Sequence, residues 1–272
     1  MAVLTKAKVP SGHWYRSDGT PAHKLPTADG RGERATTVRD ARRLGLFPSV
    51  TSILGILAKP GLEKWKLNQV ALATLRTPKQ TEESEDYWCG RVRNVAFDQV
   101  DQAADLGTMI HGALELAMNG EPYADDMRPY VEPVLAWKEQ TGIEIIEREV
   151  RLVNQQHGFA GTSDVLFRYG QQGIGILDYK TRKTKPGEKV EAYDNQAMQL
   201  AAYGATYWGE ENLPRLLAAN VFISTTERGR VEVVKHPDVL RDWQAFKLVA
   251  SLWRYQKGYD PRQHQTLNQP AA

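Results

Sequence analysis

The chain has 272 residues, of which 41% are hydrophobic and 25% are charged, as in an ordinary soluble globular protein. No apolar run approaches the roughly 18 residues of a membrane-spanning helix, and the N-terminus lacks the apolar segment of a signal peptide, so we expect a cytoplasmic protein with no membrane partner. The single cysteine, Cys89, excludes an internal disulfide and an iron–sulfur cluster held by the cysteines of one chain. The net charge of +2 neither favours nor excludes nucleic acid, because a basic cleft can lie on a balanced protein.

Residues 1–47 are rich in proline, glycine, arginine and short polar residues and show no sustained periodicity. We therefore predict an irregular N-terminal arm, followed by one domain at 48–258 and a frayed tail at 259–272. Within the domain, 48–140 is predicted as a helical part and 141–258 as an α/β core. The arm contains a basic cluster of Arg39, Arg42 and Arg43. A solvated surface is the favoured explanation, and a phosphate contact is the alternative.

The helical part is predicted from the spacing of its apolar residues, which gives one helix that opens at Pro48 and is stopped by Pro60, and further helices at 61–75, 87–118 and 127–140. Gly107 interrupts the third pattern and predicts a break between two helices. Ser49 and Thr51 stand where the first helix begins, so either can cap it. His111 and Glu115 are four residues apart and share one helix face. An imidazole there suits a metal ligand, although a packed histidine and a surface glutamate give the same pattern.

A β-hairpin is the most informative stretch of the core. Strand-type patterns at 160–169 and 174–181 flank a turn at 170–173. Because side chains alternate along a strand, Asp178 and Lys180 point to one face, with Asp164 on the facing strand. Two carboxylates supply the hard oxygen ligands of Mg²⁺, and a lysine beside them can orient a water molecule and stabilise developing charge. A surface Asp–Lys pair on an edge strand is the alternative interpretation.

The segments around the hairpin complete the predicted core. A strand at 143–152 precedes it, and the alternation there turns Glu149 towards solvent. A helix at 190–207 follows it, with Gln196, Gln199 and Tyr203 on one stripe. Strands at 214–225 and 230–234 form a second hairpin, and a helix at 237–255 closes the domain.

A basic loop leads from the hairpin to the helix that follows it, and it contains Arg182, Lys183 and Lys185. A loop at the exit of a metal site is where a phosphate backbone would pass. A solvated basic surface explains these charges equally well.

Four motifs, taken together in this order and spacing, resemble the PD-(D/E)XK nuclease superfamily. They are GTMIHGALE at 107–115, GTSD at 161–164, DYKT at 178–181 and QLAAY at 199–203. The sequence is most similar to the RecB/Cas4-like exonuclease branch, which includes the mitochondrial genome maintenance exonuclease and phage recombination exonucleases. The similarity covers about residues 48–250 and is weakest at its two ends.

The resemblance implies an α/β fold with a mixed central sheet of four or five strands flanked by helices and an N-terminal helical elaboration. It implies Mg²⁺ or Mn²⁺ as cofactor, without the iron–sulfur cluster of some relatives. The implied metal ligands are His111, Asp164, Asp178 and the carbonyl oxygen of Tyr179, with Lys180 orienting the water. Gln199 and Tyr203 would support substrate or lysine, and Ser49, Thr51 and Gln196 would lie near the DNA. In some relatives a glutamate at the place of Glu149 helps to shape the site.

The expected function is therefore exonucleolytic hydrolysis of DNA in phage-type recombination or DNA processing, in a bacterial or phage-infected cytosol. A single-strand annealing protein or a helicase is the expected protein partner. Two alternatives stay open at this point: a restriction or junction-resolving endonuclease, and a DNA-binding module without catalysis. The intact set of Asp164, Asp178 and Lys180 argues against the second alternative.

Overall fold

The computed structural model describes residues 13–264, apart from the side chains of residues 99–102, 194 and 264. Its centre is a five-stranded mixed sheet in the order β5-β6-β7-β8-β9. The strands are β5 (Glu144–Asn154), β6 (Phe159–Tyr169), β7 (Gly173–Arg182), β8 (Leu216–Ser224) and β9 (Val231–His236). Strands β7 and β8 are parallel, whereas the other neighbours are antiparallel. The fold is thus α/β with a mixed sheet, as predicted.

Helices and short strands surround this sheet. The short strands are β1 (Trp14–Tyr15), β2 (Lys24–Pro26), β3 (Glu33–Ala35) and β4 (Phe47–Pro48), with β1 paired to β4 and β2 paired to β3. The helices are α1 (Val38–Leu44), α2 (Val50–Leu54), α3 (Pro60–Arg76), α4 (Glu85–Met118), α5 (Arg128–Thr141), α6 (Asp194–Trp208) and α7 (Val239–Lys257). Helix α6 is the crossover that connects the two parallel strands β7 and β8.

Two apolar clusters lie on opposite faces of the sheet. One joins α2, α6 and α7 to the face that includes Ile176. The other joins α5 and the C-terminal part of α4 to the face that includes Leu177 and Tyr179. The predicted alternation of β7 is therefore confirmed, because residues 176 and 177 contribute to different clusters.

Helix α4 is continuous through Gly107, so the predicted break at that residue is wrong. The glycine instead allows a close approach, since a Cβ atom at position 107 would lie 3.0 Å from the Thr181 hydroxyl on β7. The first predicted helix begins later and ends earlier than expected, because Pro48 belongs to β4, Ser49 caps α2 and α2 ends at Leu54. Pro60 begins α3 at its first turn, where a missing N–H is harmless.

The N-terminal segment is more ordered than the predicted arm, from residue 13 onward. Trp14 and Tyr15 are buried, and Trp14 belongs to the cluster formed with α2, α6 and α7. The segment at 259–264 likewise differs from the predicted tail. Tyr259 is buried, and its hydroxyl donates to the carbonyl of Leu46 at 2.8 Å. Residues 1–12 and 265–272 of the predicted arm and tail lie outside the described residues.

Within residues 13–264, no helix is both long and apolar enough to cross a membrane.

Candidate metal centre and active-site cleft

The predicted site lies where strands β6 and β7 separate. These strands are paired from Tyr169↔Gly173 to Val165↔Leu177. Beyond that pair β6 continues alongside β5, and β7 continues alongside β8. Asp164 and Asp178 are the first residues past the last pair, so the fork between the strands brings the two carboxylates to one place.

Asp164 takes over a backbone hydrogen bond at the fork. Its Oδ2 accepts from the Tyr179 amide at 2.8 Å, and this N–H has no strand carbonyl from β6 opposite it. The Asp164 side chain is only 15% exposed. Burial and then the negative charge of Asp178 raise the pKa of the Asp164 carboxyl well above its ordinary value. The site therefore favours any positive charge that can bind between these two carboxylates.

Asp178 is held from two sides. The Lys180 ammonium lies 2.5 Å from the carboxylate, and the Asn220 amide donates to its Oδ2 at 2.7 Å. Asn220 is fully buried, and its Oδ1 accepts from Nε2 of His236 at 2.8 Å. Sequence reasoning missed this series of hydrogen bonds from His236 to Asp178, because Asn220 lies in an apolar strand 42 residues downstream of Asp178.

His111 approaches the carboxylates from α4. Its Nδ1 lies 3.9 Å from Oδ2 of Asp164, and its ring meets the Tyr179 ring edge-on with 6.2 Å between centroids. Burial and then the positive charge of Lys180 lower the pKa of His111, so the imidazole is neutral at pH 7. A neutral imidazole has the lone pair that a metal ligand needs. The structure thus brings His111 to the same site as Asp164, Asp178 and Lys180.

Tyr203 and Gln199 lie beneath the fork, on α6. Tyr203 is 3% exposed and forms a side-chain hydrogen bond with Gln199, and burial raises the pKa of the phenol. Its hydroxyl occupies the space beside Gly161, where a Cβ atom would stand 2.4 Å away. The glycine of the GTSD motif is therefore required so that the tyrosine can pack against β6.

Ser49, Thr51 and Gln196 are predicted to lie near the DNA. Two of them are buried and form hydrogen bonds at helix starts, and one is exposed. Ser49 is buried, and its hydroxyl accepts from the Ser52 amide as the α2 cap. Thr51 is exposed, with its hydroxyl 3.0 Å from that of Ser49. Gln196 is buried, and its Oε1 accepts from the Tyr193 amide at the start of α6. Of the three, Thr51 alone presents an open surface.

The basic loop after β7 is anchored to the hairpin formed by β8 and β9. Arg230 donates to the carbonyl of Lys185 at 2.8 Å, and Thr184 and Thr226 exchange hydrogen bonds of 2.7 and 2.9 Å. Lys183 and Lys185 keep exposed side chains. The loop backbone is therefore held in place while these ammonium groups face solvent.

Glu149 has an unusual backbone for a strand residue. Its φ of 48° is the one positive value at a non-glycine residue in the described part of the chain. It stands opposite Asp164 in the register, between the pairs Arg148↔Val165 and Val150↔Ser163. Partial burial, then the charges of Glu115 and Asp178, raise the pKa of the Glu149 carboxyl. The predicted exposure of Glu149 is confirmed, and the charge of Asp178 reaches its carboxyl group from the site.

A groove of about 600 Å³ lies along β5. Its lining includes Glu115, Asn119, Lys138, Arg148 and Glu149, so it carries charges of both signs. The groove borders the site at Glu149, whose carboxyl group interacts with the charges of Glu115 and Asp178.

The donor chemistry of the cleft suits a hard divalent cation. Carboxylate oxygens and one neutral imidazole are ligands that Mg²⁺ and Mn²⁺ accept. A cation would also relieve the repulsion between Asp164 and Asp178, which burial makes costly. Among the residues that the structure describes, however, no three His, Cys, Asp or Glu side chains already stand at ligand spacing. Binding therefore requires side-chain movement, beginning with the Lys180 ammonium that contacts Asp178.

Comparison with known proteins adds little to this geometry. No family model matches the sequence, and no curated protein matches it. Among solved structures, the crystal structure of SSO0001 is similar to this chain with a TM-score of 0.35 and 15% identity, over 74% of this chain and 88% of that one. An overlap this loose does not identify a family.

Proposed function

We propose that this protein is a metal-dependent DNA exonuclease of the PD-(D/E)XK superfamily, in its RecB/Cas4-like branch. The observation that carries the proposal is the meeting of Asp164, Asp178 and Lys180 at the fork of two strands, with His111 facing them from α4. The four motifs that resemble the superfamily support the same reaction class.

Asp164, Asp178, His111 and the carbonyl oxygen of Tyr179 would hold Mg²⁺ or Mn²⁺. A cation bound there would polarise a phosphoryl oxygen and lower the pKa of a bound water. The hydrogen bond from the Tyr179 amide keeps Asp164 turned towards the fork, and Asn220 keeps one oxygen of Asp178 in place. These contacts hold the two carboxylates at the fork, so the movement that metal binding requires begins with release of the Lys180 contact to Asp178.

Lys180 is the residue that acts on the reacting atoms. Its ammonium has three donors and lies 2.5 Å from each carboxylate oxygen of Asp178, so at least one donor remains for water or phosphate. In the reaction a water oxygen bonds to phosphorus and the water loses a proton to solvent, while the ester oxygen leaves with its electron pair and takes up a proton from solvent. Lys180 orients the water and balances the negative charge that grows on the phosphoryl oxygens.

The DNA backbone would lie along the basic side of the cleft. The exposed ammonium groups of Lys183 and Lys185 stand on a loop that Arg230 anchors, so they are placed to attract phosphates without reading bases. Helix α4 forms the opposite wall through His111. A DNA strand can enter between two such walls by its end, which favours an exonuclease. Such an enzyme would act with a helicase or an annealing protein in recombination.

Substitution of Asp178 by asparagine tests the proposal. Asp178→Asn removes one ligand charge with almost no change in volume, so it should abolish cleavage of linear DNA in Mg²⁺ while the unfolding midpoint stays close to that of the wild type. The control is Asp98→Asn, the same chemical change on α4 away from the fork. Cleavage by Asp178→Asn at the wild-type rate would show that the assigned site is not the active site.

A further inference from the structure

Arg182 and Tyr193 close the base of the basic loop, just beyond the proposed catalytic strand. The Arg182 guanidinium lies 5.0 Å from the centre of the Tyr193 ring and 5.8 Å from the centre of the Phe222 ring. It also donates to the carbonyl of Glu191, and its Nη2 is 3.4 Å from the Tyr193 hydroxyl. These contacts fix the tyrosine ring relative to β7.

The Tyr193 ring is nevertheless open to solvent. It is 63% exposed, whereas Phe222 beneath the same guanidinium is 3% exposed. A single exposed aromatic residue is common on protein surfaces and by itself indicates nothing. This one differs because a cation holds it in place and leaves much of the ring surface free.

The position of the ring relative to the reaction site is the second observation. Arg182 follows Lys180 by two residues on β7, which places both side chains on one face and about 7 Å apart along the strand. The exposed ammonium groups of Lys183 and Lys185 follow directly. The ring therefore contacts Arg182, the next side chain on the face that carries Lys180, and Lys185 on the loop that follows also contacts Glu188 at 3.3 Å.

We propose that Tyr193 is a stacking site for an unpaired nucleobase, one that neighbours the phosphate to be cleaved. This inference rests on the proposed nuclease function and adds a substrate preference to it. Aromatic rings bind bases of any sequence through their π faces. A base inside a duplex already has its stacking partners, so the site requires a single-stranded end. Arg182 acts as a positioning residue that holds the ring.

Binding of a single-stranded oligonucleotide containing 2-aminopurine, in Ca²⁺ to prevent turnover, tests this inference. Replacing Tyr193 by alanine should weaken binding about 5- to 100-fold and abolish the fluorescence quenching that stacking causes. Tyr193→Phe should keep both, because it retains the ring. Tyr255→Ala, which removes a tyrosine that is 86% exposed on α7, is the matched control and should bind as the wild type does.

An abasic nucleotide provides a second arm. In a series of strands, one abasic nucleotide is placed at each successive position. At least one of these strands should bind the wild type more weakly than the intact strand does. That same strand should bind Tyr193→Ala with the same affinity as the intact strand. Equal affinity and equal quenching for wild type and Tyr193→Ala would overturn the stacking site while leaving the nuclease proposal intact. Equal losses in Tyr193→Phe and Tyr193→Ala would also overturn it, because the hydroxyl would then matter and not the ring. Absence of DNA binding by the wild type would instead overturn the proposed function.

Discussion

Asn220 is the centre of a buried hydrogen-bond chain, and its replacement by alanine tests whether that chain positions Asp178. The change removes the 2.7 Å bond to Asp178 and leaves Nε2 of His236 without its acceptor at 2.8 Å. Loss of a hydrogen bond to a charged group costs about 1.5–3 kcal/mol, and a stranded buried donor costs about 1–3 kcal/mol. Water can enter the space left by the side chain and restore part of the lost hydrogen bonding. We therefore expect Asn220→Ala to lower the free energy of unfolding by about 2–4 kcal/mol, measured by urea titration without metal.

The same substitution should weaken metal binding. Residues that orient a metal ligand typically contribute about 10- to 100-fold in affinity or activity. We therefore expect the Kd for Mn²⁺, measured by calorimetry at a temperature where Asn220→Ala is folded, to rise by about that factor. Asn212→Ala is the matched control, since Asn212 donates to the Trp208 carbonyl at the end of α6. An unchanged Mn²⁺ affinity in Asn220→Ala would refute the reasoning, because Asp178 would then not depend on Asn220.

Three further outcomes follow from the same structure. Lys180→Ala should lose the chemical step but keep metal-dependent DNA binding, and loss of Mn²⁺ binding in calorimetry would show that the lysine is structural. The Arg34 guanidinium holds the pKa of the Asp40 carboxyl well below its ordinary value of 3.8, so this pair should stabilise the fold above that pH and lose its contribution as the pH falls. The stability difference between wild type and Asp40→Asn should accordingly be about 1–2 kcal/mol at pH 7 and shrink below about pH 4, whereas a constant difference would contradict the assignment. Gly161→Ala should cost about 1–3 kcal/mol in urea unfolding, because its Cβ would overlap the Tyr203 hydroxyl, and an unchanged midpoint would show that α6 can shift.

The hairpin that carries the site could be predicted because its information is local. Alternation over ten residues specifies a strand, and a turn between two such strands specifies their pairing. The predicted faces of Ile176 and Leu177 follow from the same alternation and are confirmed. The relative positions of Asp164, Asp178 and Lys180 could therefore be predicted from the sequence.

What could not be predicted depends on contacts between distant segments. Gly107 looks like a helix break, since a glycine lowers helix propensity whether or not Thr181 packs against it. Asn220 is one polar residue in a buried strand, and only the pairing of β7 with β8 shows that it faces Asp178. Trp14 lies in a two-residue strand, which is too short for a periodic pattern to indicate that it is buried.

Glu149 illustrates a third limit. The alternation of β5 correctly predicts that this side chain is exposed, but it does not reveal the left-handed backbone of the residue. It also does not reveal the register shift between Ile145 and Glu147, where β5 pairs with β6. A pattern that assumes one uninterrupted strand cannot show either irregularity.

The most direct test of the central claim is one incubation of linear and covalently closed circular DNA with the purified protein. In Mg²⁺ we expect the linear DNA to be degraded progressively to short products with little sequence preference, and to survive when EDTA removes the metal. The closed circles, single- or double-stranded, should survive in both conditions because they offer no end. Rapid linearisation of the circles would favour an endonuclease. Intact linear DNA after prolonged incubation with Mg²⁺ or Mn²⁺ would contradict the claim that this cleft hydrolyses DNA.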